Sequence, residues 1–218
     1  MCGIIGYIGS KNVVPILVEG LKNLEYRGYD SAGIAVVDGS MIQIRRVEGK
    51  ISTLEKSLKE NPIEGSYGIG HTRWATHGRP SEENAHPHRD CTNSFVVVHN
   101  GIIENYLHLK EKLKKEGHKF VTETDTEIIA HLIEKYHQDS LDKAVQKALH
   151  DLEGAFAIAV LSIKEKEKII AAKAGPPAVV GLGDGEYFVC SDINPLLSHT
   201  REIVFLDDYE IAVIDQGG

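Results

Sequence analysis

The sequence predicts an α+β fold in which antiparallel sheets are faced by layers of helix. Helical periodicities and strand runs are mostly segregated along the chain rather than alternating as βαβ units. Strands meet through tight-turn signals, Asp38-Gly39 and Asp184-Gly185. Runs such as Phe95-Val96-Val97-Val98 and Phe156-Ala157-Ile158-Ala159-Val160-Leu161 are apolar at every position, which suits strands buried on both faces. A four-layer α/β sandwich accommodates all three observations.

In chain order, residues 2–9 read as a strand. Val14, Leu17, Val18, Leu21 and Leu24 recur at helical spacing, so 12–26 is an amphipathic helix. Residues 31–38 and 41–48 are a strand pair around Asp38-Gly39, and 51–60 is a helix. Strands follow at 67–74 and 94–99, separated by a polar segment, 75–93, too long for an idle connection. Helices are expected at 105–116, 126–137 and 141–151; Ile128, Ile129, Leu132, Ile133 and Tyr136 form the stripe of the second. From Ala155 the chain turns to β, with strands at 155–163, 168–174, 178–183, 186–190 and 203–215 and a short helical piece near 194–198.

Composition narrows the function. A net charge of -8 argues against a nucleic acid or an anionic membrane surface as partner. There is no apolar run of about eighteen residues to cross a membrane and no secretory signal at the start. Three irregularly spaced cysteines, Cys2, Cys91 and Cys190, argue against a disulfide framework or a Cys-based zinc site and fit a reducing, cytoplasmic setting.

Cys2 opens the chemistry. Removal of Met1 puts a thiol and a free α-amine on one residue. The amine ordinarily titrates near about 7.7–8.0, so it can take the proton whose loss makes the attacking thiolate. A buried structural cysteine is the plain alternative.

Other segments carry candidate roles beside structural ones. Tyr26-Arg27-Gly28-Tyr29-Asp30-Ser31-Ala32-Gly33 reads as a helix end and turn with Arg27 in an ion pair, or as part of a site. In His71-Thr72-Arg73-Trp74-Ala75-Thr76-His77-Gly78, Arg73 offers a fork of donors suited to a carboxylate, with Thr76 and His77 beside it and Trp74 as a cover. An ion-paired Arg and a core Trp would explain the same residues. The His86-x-His88 pair lacks the companions of a zinc site and reads better as a loop held by hydrogen bonds. Asn100-Gly101 is either a turn or two donors aimed at one developing oxyanion. Thr124 and Glu127 match a capping box, and Asp125 either favours the helix start or binds an ammonium.

Together, in one order, these motifs closely resemble the glutaminase domain of the glutamine–fructose-6-phosphate aminotransferases, which are N-terminal-nucleophile glutamine amidotransferases of class II. The resemblance covers essentially all of residues 1–218. It implies an αββα fold with two stacked antiparallel sheets and hydrolysis of L-glutamine through a thioester. It further implies Cys2 as nucleophile with its own amine as base, and Asn100 and Gly101 as the oxyanion hole. Arg73, Thr76 and His77 would hold the α-carboxylate and Asp125 the α-ammonium. Trp74 and the 73–81 loop would act as a lid, and Arg27 and His86 would support the nucleophile end. No cofactor or metal is implied. The expected partners are glutamine and the sugar-phosphate isomerase half of a larger, homo-oligomeric enzyme.

This sequence departs from the family pattern in two places. Residues 1–218 do not include the isomerase domains, so by themselves they are expected to release ammonia to solvent. Residues 175–178 read Gly-Pro-Pro-Ala where relatives commonly show Gly-Ser-Pro and a bulkier apolar residue, and Pro176 removes a backbone donor there. Another class II amidotransferase and a catalytically silent glutamine-binding domain are the alternatives.

Overall fold

The structure is a computed structural model and describes residues 2–217. The first half runs β1 (Gly3–Gly9), α1 (Val13–Leu24), β2 (Ser31–Asp38), β3 (Met41–Glu48), α2 (Ile51–Glu60), β4 (Tyr67–Arg73), β5 (His88–Arg89) and β6 (Phe95–Ile103). The second half runs α3 (Tyr106–Lys115), α4 (Glu127–Tyr136), α5 (Leu141–Asp151), β7 (Gly154–Ser162), β8 (Lys168–Ala174), β9 (Val179–Leu182), β10 (Glu186–Cys190), β11 (Glu202–Phe205) and β12 (Ile211–Asp215).

The strands form a seven-stranded sheet, β11-β9-β10-β1-β4-β2-β3, and a five-stranded sheet, β12-β8-β7-β6-β5. All the pairings are antiparallel. Strand periodicity explains the layering. On β1, Ile5 and Tyr7 pack outward with Leu17 and Leu21 of α1 and Leu54 of α2. Ile4 and Ile8 pack inward with Val96 and Val98 of β6 and Ala157 and Ala159 of β7. On β6 the alternate residues Phe95 and Val97 face α4 and α5 through Ile128, Ile129, Leu132 and Val145. Three apolar layers therefore separate helices, sheet, sheet and helices in the expected αββα order. Tyr7, fully buried, donates its hydroxyl to Glu186 at 3.1 Å, which satisfies its polar end against the helical side.

Local signals place the helices. Asn12 accepts from the Val14 N–H and caps α1. Lys112, Lys114 and Lys115 occupy the last turn of α3, where the helix end favours cations.

Three expectations are corrected. The 203–215 run is not one strand: β11 lies in the seven-stranded sheet and β12 in the five-stranded one. Between them Asp207 and Glu210 close a turn and Tyr209 adopts φ 67°. Similar apolar runs on either side hide the crossing. The strand expected at 94–99 runs on to Ile103, because β7 pairs with it as far as Gly154. Thr124 and Glu127 do not form a capping box. Thr126 precedes α4, and the Glu127 carboxylate instead accepts from the Val121 and Thr122 N–H groups, both at 2.8 Å.

Candidate active site

The strand pairing sets the site. Gly3 is opposite Thr72 in the β1–β4 ladder, so Cys2, just before β1, meets the residues just after β4. The Trp74 N–H donates to Cys2 Sγ at 3.2 Å. Burial pushes the Cys2 thiol pKa up and the Trp74 amide pulls it down.

Asn100 and Gly101 reach the same place from the other sheet. Asn100 donates Nδ2 to the Cys2 carbonyl at 3.2 Å, so its amino end faces the cysteine. His71 of β4 holds that orientation across the gap between the sheets. Both partners of its Nε2 are carbonyl oxygens, His99 O and Asn100 Oδ1, each 3.0 Å away. Nε2 therefore carries the proton, and burial keeps the ring neutral with a pKa of about 3. His86 stacks on His71 with ring centroids 4.1 Å apart and accepts from the His99 N–H. His88 pairs with the Thr124 hydroxyl at 3.1 Å. The His-x-His pair thus bonds to the strand and loop around it.

Gly101 is required by both space and backbone. Its φ is 132°, and a Cβ built there would lie 2.0 Å from the Ala155 carbonyl oxygen. The bare backbone at 101 faces the mouth that Cys2 and Asn100 also line.

Arg73 and Asp125 face each other across a narrow cleft that Cys2, Thr76, His86 and Gly101 also line. Arg73 donates to the carbonyls of His77, Gly78 (3.1 Å) and Arg79 (3.4 Å), so its guanidinium holds the loop around its own head. Asp125 accepts from the Ile103 N–H at 2.8 Å and lies 4.0 Å from His77 Nδ1. The cleft has about 10 Å³ of free volume, room for about one water. It continues into a more apolar mouth of about 320 Å³ lined by Arg27, Trp74, Ile102 and Pro176. Trp74 is 60% exposed there, and Arg27 pairs with Asp192 at 3.2 Å and with the Ser191 carbonyl at 2.9 Å.

All the sequence-derived candidates lie on this cleft or its rim, His77 through Asp125. Sequence reasoning missed the residues that hold them. Asp30 accepts from the Ala75 N–H and from the Ser31 hydroxyl, fixing the base of the loop. His71 orients Asn100, and the Thr126 hydroxyl bonds His99 Nδ1 at 2.9 Å. Asp30 and His71 were inside the quoted motifs, but only contact across strands and sheets reveals their roles.

The family described as "Glutamine amidotransferase domain" matches residues 71–198. A glutamine–fructose-6-phosphate aminotransferase (isomerizing) of Clostridium tetani is 51% identical over the whole chain. The corresponding protein of Aquifex aeolicus is 54% identical over 97% of it. The chain spans 36% of the length of each of these relatives. Among solved structures, the glutamine phosphoribosylpyrophosphate amidotransferase of B. subtilis superposes with a TM-score of 0.87 at 28% identity. That match covers all of this chain and 48% of the other.

Proposed function

The chain belongs to the glutamine amidotransferase family, and from that premise we propose that it hydrolyses L-glutamine to L-glutamate and ammonia on the thiol of Cys2. It is homologous to the N-terminal part of the glutamine–fructose-6-phosphate aminotransferases. The observation that carries the reading is the convergence of one thiol, an oriented Asn100 amide and the bare Gly101 backbone beside opposed Arg73 and Asp125.

Glutamine is a zwitterion with an amide at its far end. Arg73, with Thr76 and His77, takes the carboxylate, and Asp125 takes the ammonium. With Met1 removed, the Cys2 amine accepts the thiol proton, directly or through a water, and the thiolate attacks the amide carbon. Asn100 Nδ2 and the Gly101 N–H hold the oxyanion. The protonated amine gives its proton to the leaving nitrogen, and the tetrahedral intermediate collapses with cleavage of its C–N bond, releasing ammonia and leaving the thioester. Water then attacks the thioester, frees glutamate and restores the thiol. A cleft with room for about one water must widen for substrate, and Trp74 and the 73–81 loop border it. That loop is the lid, whose closure keeps water from the thioester. Arg27 and His86 support the nucleophile end.

Residues 1–218 form the glutaminase domain of a larger enzyme. The ammonia goes to an isomerase domain that converts fructose-6-phosphate to glucosamine-6-phosphate, in a cytoplasmic homo-oligomer. The 51–54% identity to the aminotransferases, against 28% to the phosphoribosylpyrophosphate enzyme, favours the sugar phosphate over a ribose phosphate. The test is a glutamate-release assay with Cys2→Ala, alongside intact-mass analysis after treatment with an electrophilic glutamine analogue. Loss of turnover in the variant and a single adduct on Cys2 support the reading. Undiminished turnover, or an adduct elsewhere, overturns it.

A further inference from the structure

Cys91, His118, His131 and Glu134 come together outside the Cys2 cleft, from the turn after β5, the loop after α3 and two positions on α4. Their ligating atoms all lie within 4.8 Å of one another. Cys91 Sγ is 3.6 Å from His131 Nδ1 and 3.9 Å from His118 Nδ1. Glu134 Oε2 is 2.8 Å from His118 Nδ1 and 3.3 Å from His131 Nδ1. A tetrahedral zinc ion with bonds of about 2.0–2.3 Å has ligand–ligand edges of about 3.3–3.6 Å, close to this set.

The surroundings fit a metal better than an ion pair alone. His131 is buried, and its other nitrogen, Nε2, makes no hydrogen bond but lies 3.7 Å from Glu127 Oε1, a carboxylate a small shift would bring into reach. A carboxylate behind a histidine ligand fixes its tautomer and raises its basicity. Glu127 is itself held by the Val121 and Thr122 backbone. The Lys119 N–H donates to Cys91 Sγ at 3.2 Å and fixes the sulfur's position in the cluster. A His118–Glu134 pair would explain neither the sulfur nor the buried ring. One thiolate, one carboxylate and two neutral imidazoles offset a divalent cation's charge. Cys91 is exposed and leaves a path for entry.

We propose that Cys91, His118, His131 and Glu134 bind a structural zinc ion, with loss of the thiol proton on binding. The ion ties the segment after β5 to the loop that leads into Thr124 and Asp125. It thereby braces one wall of the cleft without touching substrate. Sequence spacing argued against a Cys-based zinc site; the fold assembles one from distant segments. The proposal does not depend on the glutamine reaction.

The test uses Cys2→Ala protein, so that Cys91 and buried Cys190 are the remaining thiols. The protein is stripped with chelator, dialysed against zinc or cobalt, and analysed for bound metal. One zinc per chain, a thermal midpoint raised by zinc, and a cobalt form with tetrahedral visible bands and a thiolate charge-transfer band are expected. Cys91→Ser, at an exposed position, abolishes the charge-transfer band. Glu127→Gln weakens zinc binding about 10–100-fold. Absence of stoichiometric metal overturns the proposal, as does a charge-transfer band that survives Cys91→Ser.

Discussion

Replacing Asn100 with Ala separates the two jobs of that side chain. Asn100 Nδ2 donates to the Cys2 carbonyl at 3.2 Å and is the proposed oxyanion donor, while Oδ1 accepts from His71 at 3.0 Å. After truncation, His71 Nε2–H keeps the His99 carbonyl at 3.0 Å, so no buried donor is orphaned. Two neutral hydrogen bonds are lost, a stability cost of about 1–3 kcal/mol. The oxyanion develops only in the transition state, so KM should stay near its starting value. Removal of one such donor costs about 10²–10³ in kcat, or about 2.7–4 kcal/mol. Glutamate release under saturating and limiting glutamine gives both constants, and thermal unfolding gives the stability change. A kcat loss under about tenfold, or a loss confined to KM, refutes the oxyanion assignment. Asn100→Asp fills the same space with an anion and should be at least as slow.

Two further predictions follow from the groups behind the site. His71 and His88 are buried neutral with pKa values of about 3, below their ordinary 6.5. The unfolded chain therefore binds protons that the folded one refuses as pH drops below 6.5, and the stability present above that value is lost toward pH 3. At about 1.4 kcal/mol per pH unit per ring, denaturant unfolding should show a loss of about 4 kcal/mol at pH 5, and a flat profile from pH 7 to 5 would contradict the burial argument. Asp30→Ala frees the Ala75 N–H at the base of the loop. The expected result is a KM rise of roughly tenfold, the worth of a charge-assisted hydrogen bond of about 1.5 kcal/mol, with faster limited proteolysis near Trp74; unchanged KM and cleavage rate would remove Asp30 from loop anchoring.

The residues proposed for the site were legible because their chemistry is written in residue type. A second-position cysteine, an Asn-Gly pair, an arginine and an acid before a helix each suggest a task before any fold is known. The holding residues were not. His71 gains its role from two carbonyls on the opposite sheet, and Asp30 from an amide 45 positions away. Local pattern also misread Thr124 and Glu127, because Glu127 turns back to satisfy the Val121 and Thr122 amides. The crossing between β11 and β12 escaped for a related reason: apolar, β-branched content marks a strand but not which sheet receives it. Cys91, His118 and His131 have no recognisable ligand spacing and meet only through the packing of α4 against β5 and β6.

The burial of both faces of β1 has a consequence for where the sulfur sits. A one-residue slip of that strand would carry Tyr7 into the dry layer between the sheets, away from Glu186, and would turn Ile4 and Ile8 toward the helices. It would also displace Cys2 by about 3.3–3.4 Å along the strand, farther than its present 3.2 Å reach to the Trp74 amide. The pleat of a buried strand thus acts as the ruler that sets the thiol's position, and a tyrosine on the far side of the sheet keeps that ruler from sliding.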